Sequence, residues 1–165
     1  MKKIKVNLDN IDKAIKEVKK YQKEVDRKTA QFIQMLTDEG FDILVTQVAS
    51  LAFDTGELMS SIGTIMYVEE NRGVIFSSSP HAVFVEFGAG VRKNAAGSYP
   101  GSWPKDLGGI GSYGKGQGRL NGWYYYSERT GKVEWTTGIT SRPVFYNTLK
   151  ELSEIAASVA KEVFK

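Results

Sequence analysis

No cysteine occurs among the 165 residues, so disulfides, thiolate metal sites and a cysteine nucleophile are excluded. A single histidine, His81, leaves no multi-histidine metal site within one chain. No apolar run is long enough to span a bilayer, and the basic start Met1-Lys2-Lys3-Ile4-Lys5 is followed by charged residues rather than a signal-peptide core. The chain is therefore expected to be made in the cytosol and used there, or carried out within a larger particle. Strong charge of one sign is lacking too: the net is +3, too weak to select nucleic acid as a partner. What remains is 41% hydrophobic residues at a length that suits one domain, 1–165, with one core.

Apolar residues recur at Ile11, Ile15, Val18, Tyr21, Val25, Phe32, Met35 and Leu36, and again at Phe41, Leu44, Val48 and Leu51. Steps of three, four and seven predict an amphipathic helical region over 9–52, with Asp9 or Asn10 as its cap. Gly40 costs about 1 kcal/mol relative to alanine in a helix, which predicts a kink or break there. The lysine-rich opposite face reads as solvated surface.

The period then changes. Ile62 to Val68 and Val74 to Ser78 read as an antiparallel hairpin over 62–78, turning at Glu70-Asn71-Arg72-Gly73. A short helix is expected over Ala82 to Phe87, begun by Pro80 and ended by Gly88. A second hairpin over 123–136 is expected to turn at Glu128-Arg129-Thr130-Gly131. A last helix over 143–163 places Pro143 in its first turn and Phe145, Leu149, Leu152, Ala156, Val159 and Val163 on its apolar face. No repeat is visible. The fold class is α+β: a long N-terminal helix and a C-terminal helix packed on an antiparallel sheet of two hairpins.

Between the hairpins, residues 88–122 hold eleven of the seventeen glycines. So much glycine cannot recover its ordering entropy by local packing, and a long irregular functional loop is expected. Its cations Arg92, Lys93, Lys105, Lys115 and Arg119 face Asp106 alone, a net of +4 that leaves −1 for the remainder. With Tyr99, Trp103, Tyr113 and Trp123 they form a candidate protein–protein anchor, since Tyr, Trp and Arg dominate interface hot spots. The same mixture suits DNA, by stacking and phosphate contact. The phosphate-loop pattern is absent.

Asp54-Thr55-Gly56 carries the aspartic-protease tripeptide. That chemistry needs two carboxylates sharing a proton, and with one copy only a homodimer would supply them. Glu57 follows where a small residue is usual, and the flank is helical rather than extended. The structural reading is stronger: Asp54 or Thr55 caps a short turn, Gly56 supplies an unusual backbone angle, and Leu58 and Ile62 enter the core. His81 has no Ser–Asp pair near it in sequence and reads as structural or exposed. Glu86, inside an apolar run, must face water or find a partner, and Arg142 is the candidate.

Three spaced segments together resemble one family. Asp54-Thr55-Gly56-Glu57-Leu58-Met59-Ser60-Ser61-Ile62 is similar to a D-T-G-x-L-x-x-S-I signature. His81-Ala82-Val83-Phe84-Val85-Glu86-Phe87-Gly88 is similar to Y-A-x-Y-V-E-F-G, and Ser141-Arg142-Pro143-Val144-Phe145 with Leu149 to the start of that family's last helix. The family comprises tail-completion and head–tail joining proteins of long-tailed bacteriophages, among them the lambdoid minor tail component and lambda tail protein Z. The chain departs from it at Phe53, at His81 and Phe84 where tyrosine is common, and at Ala89 where threonine is. The resemblance implies a structural virion subunit of the neck or tail, assembled in the host cytoplasm. It implies no catalytic residue, metal or cofactor. Asp54, Thr55, Gly56, Leu58, Ser61, Ala82, Glu86, Phe87, Gly88, Arg142 and Pro143 would be fold-defining. The implied partners are further copies in a ring, hexameric or dodecameric, neighbouring neck and tail proteins, and DNA passing through the lumen. Residues 88–122 would order on assembly. The alternatives are a DNA-contacting neck protein and, least favoured, a homodimeric aspartic protease using Asp54.

Overall fold

A computed structural model describes residues 8–52, 54, 56–90, 112–113, 116–117, 122–127 and 129–165. Helix α1 (Leu8–Leu51) is one continuous helix of 44 residues, about 66 Å long at 1.5 Å per residue. Asp9 and Asn10 lie within its described span. The helix does not break at Gly40. A β-carbon there would lie 2.7 Å from Leu152 Cδ1 and closer still to Ile75 Cδ1. Gly40 is thus the point where two other elements approach α1, and their packing outweighs the small propensity cost.

Helix α2 (Glu57–Ser60) follows, then strand β1 (Ile62–Tyr67), a 3₁₀ turn (Val68–Glu70) and strand β2 (Arg72–Ser77). The first hairpin pairs Ile62 with Ser77 through Tyr67 with Arg72. Its turn lies earlier than the sequence suggests, because Asn71 takes the left-handed conformation at φ 49° and closes the 3₁₀ segment. Arg72 and Gly73 accordingly belong to β2. Helix α3 (Ala82–Phe87) forms as expected, and strand β3 (Ala89–Gly90) pairs with β8 (Gly138–Ile139). The start of the glycine-rich segment is thus a ladder rather than irregular loop. Strands β4 (Ser112–Tyr113) and β5 (Gly116–Gln117) pair with each other, and the rest of the expectation for 91–121 lies outside the described residues. The second hairpin pairs β6 (Trp123–Ser127) with β7 (Lys132–Thr136). Among the described residues the hairpins remain separate two-stranded sheets, as do the shorter ladders.

Helix α4 (Val144–Val163) closes the chain. It runs antiparallel along α1: Asn147 Nδ2 donates to Gln47 Oε1 at 3.4 Å, Gln47 Nε2 donates to Glu151, Leu152 reaches Gly40, and Phe164 meets Phe32 edge-on at 6.2 Å. The core lies at this crossing. Leu44, Val48, Ala52, Leu58 and Val144 are buried, with Met59, Ile62, Ile75, Ala82, Val85 and Phe145 packed around them. The fold is α+β, with the two helices as its spine.

Candidate functional site

Two of the three resemblance segments meet at the start of α4. Pro143 sits at the N-cap rather than in the first turn, and its carbonyl accepts the N–H of Asn147 at 2.9 Å. Proline fixes φ near −65° and lacks an N–H, so it suits this position. It offers no side-chain oxygen to the next free N–H groups. Glu86 on α3 does so instead: Oε2 accepts from Phe145 N at 2.8 Å and Oε1 from Tyr146 N at 2.9 Å. A carboxylate from another element therefore caps the helix and meets its positive end. Arg142 does not pair with Glu86. Its side chain is exposed, while its backbone N–H donates to Val85 O at 2.7 Å. Ser141 Oγ donates to Glu86 O at 2.5 Å. Glu86 is 5% exposed, and this burial pushes its carboxyl above the ordinary glutamate value, against the two N–H bonds that pull it down.

Gly88 ends α3 with φ 75°, its N–H donating to Phe84 O at 2.8 Å. A β-carbon there would lie 2.7 Å from Ser141 N. Ala82 starts α3 against the core and Phe87, half-buried, ends it. E-F-G and R-P-V are thus two halves of one clamp.

The D-T-G-E turn joins α1 to α2. Asp54 is exposed, and the described elements before and after it are the helices α1 and α2. Thr55 and Phe53 lie outside the described residues. Gly56, not Asp54, is the N-cap of α2, at φ 84° and with no side-chain cap. Leu58 is buried, and Ser61 Oγ donates to Leu58 O at 2.6 Å while lying 2.6 Å from Ser77 Oγ. Ser79 Oγ donates to Glu57 Oε1 at 3.1 Å and accepts from His81 N at 3.2 Å. Asp54, Glu57, His81, Tyr125 and Arg129 line a cleft of about 390 Å³. The hydroxyls and Glu57 tie the end of β2 to α2, which positions α3.

Of the predicted interface, Arg92, Lys93, Tyr99, Trp103, Lys105, Lys115 and Arg119 lie outside the described residues, and Tyr113 is described only as backbone in β4. Trp123 is half-buried in β6, where a β-carbon on Gly90 would lie 2.8 Å from its ring. It packs inward instead of forming an outer anchor. Sequence reading missed the other face of this hairpin. Tyr124 pairs across strands with Trp135, and Tyr126 with Val133. These four are 69%, 52%, 64% and 65% exposed, and the Tyr124 and Trp135 rings meet edge-on at 4.8 Å. The signal was the run Trp123-Tyr124-Tyr125-Tyr126. Strand residues alternate faces, so three successive tyrosines cannot all point inward.

No helix among the described residues is long and apolar enough to cross a membrane. Comparison of the chain with protein-family models, with curated proteins and with solved structures finds no match.

Proposed function

We propose that the protein is a structural subunit of a tailed-phage neck or tail-completion assembly, joining a ring that helps connect tail to head. The observation that carries this reading is the face of Tyr124, Tyr126, Val133 and Trp135, four large side chains left in water on a two-stranded hairpin. Rigid aromatic side chains grouped on one surface are what protein interfaces use as anchors. A closed ring needs such a patch to meet a different surface on the neighbour. The resemblance supplies the assembly, and the clamp at Glu86 accounts for two of its segments as architecture rather than chemistry.

The test is complementation of a phage lacking this protein with a Tyr124→Ser, Trp135→Ser double variant. The variant should fold, and particles should stall with unjoined heads and tails. Normal titre from it, or absence of the protein from purified virions, would reject the reading.

A further inference from the structure

The first turns of α1 are exposed, and among the described residues α4 does not extend to them. Helix α4 ends at Val163, where Phe164 lies against Phe32 and the Lys165 carbonyl accepts from Lys28 Nζ at 2.7 Å. Every residue from Asn10 to Glu24 is exposed. That overhang still carries the apolar stripe, with Ile11 42%, Ile15 47%, Val18 65% and Tyr21 70% exposed. On a helical wheel the stripe continues the face that receives α4 further along, at Phe32, Gly40 and Gln47. A continuous helix cannot bend back, so the overhang cannot reach its own α4.

Ile11, Ile15, Val18, Gln22 and Val25 step by four, three, four and three, the spacing of a two-helix seam. We infer that this overhang pairs antiparallel with the overhang of a second copy of the chain. Placing Ile15 against the second copy's Val18 makes a register in which residue numbers across the seam sum to 33. Ile11 then faces Gln22, and Asp12 on the flank comes beside Lys19 of the other copy, twice by symmetry. A parallel pair would place Ala14 beside Lys19 and Tyr21 beside Asp26, with no opposite charges. The antiparallel register also matches the two helices end to end. The first residue of α1, at 8, falls beside 25 of the second copy, just short of Lys28 where that copy's α4 gives way. Each overhang takes up the seam where the other copy's α4 leaves it. The pairing rests on α1 and the end of α4 and does not depend on the phage reading.

The full chain, free of cysteine, allows a clean test. Sedimentation of the wild type should show a concentration-dependent dimer, and Val18→Glu should be monomeric with unchanged circular dichroism, because Val18 is outside the core. Asp12→Lys and Lys19→Asp should each raise the dimer Kd about tenfold, and combining them should restore it. Mixed Ile11→Cys and Gln22→Cys chains should form a disulfide with each other under mild oxidation. Ile11→Cys alone should not, since its two copies lie about 16 Å apart along the seam. A wild type that stays monomeric, a Val18→Glu chain that still dimerises, or an Ile11→Cys chain that cross-links to itself would each overturn the pairing.

Discussion

Glu86 and Phe145 stand 59 residues apart, and the carboxylate of the first accepts the backbone N–H of the second at 2.8 Å. With the parallel bond from Tyr146, α3 supplies the cap that Pro143 cannot give α4. Glu86→Ala leaves two helix N–H groups without their acceptor and should destabilise the fold by about 2–3 kcal/mol. Urea unfolding of the purified chain measures this. An unchanged midpoint would show that the clamp contributes nothing.

The same carboxyl carries a pH signature. Burial raises its folded pKa above the ordinary value. Its favourable contribution is therefore complete below that ordinary value and is lost as pH rises through the folded one. Glu86→Gln removes the titration. The stability of the wild type relative to this variant should shrink as pH rises above the ordinary glutamate value, read from paired denaturation curves. A constant difference would contradict the direction.

Glu134 titrates in the opposite sense. The Thr130 hydroxyl, donating to Oε1 at 2.5 Å, is the main cause holding its carboxyl below the ordinary value, and Tyr125 OH adds a bond of 3.2 Å to Oε2. A lowered carboxyl contributes stability above its unfolded pKa and loses it as pH falls through the folded one. Thr130→Val should move the Glu134 midpoint upward in an NMR titration, while one that stays put would deny the hydroxyl its role.

Two glycines separate side-chain crowding from backbone crowding. At Gly40 a new methyl meets the ends of Ile75 and Leu152, which can give slightly, so Gly40→Ala should cost about 1–2 kcal/mol despite alanine's better helix propensity. At Gly138 the backbone is at φ 102° and a methyl would lie 2.6 Å from the carbonyl carbon of Ala89. Gly138→Ala should therefore cost more, about 3 kcal/mol or above, and open the β3–β8 ladder. Thermal unfolding ranks the two, and the reverse order would sink the argument.

Local signals determined both long helices, both hairpins and the short α3: a repeat of 3.6 or 2 is written into neighbouring residues, and Pro80, Gly88 and the turn residues mark where elements start and stop. The left-handed Gly56 and the buried Leu58 were legible in the Asp54-Thr55-Gly56 turn, since glycine marks an unusual backbone angle and an apolar residue follows it. Only tertiary structure decided the rest. Gly40 stays helical because Ile75 and Leu152 arrive from 35 and 112 residues away. Glu86 bonds backbone N–H groups rather than Arg142, and a backbone partner leaves no trace in residue type. The β3–β8 ladder joins segments that carry no strand period at all. Such contacts depend on where distant elements come to rest, and no window along the chain contains both partners.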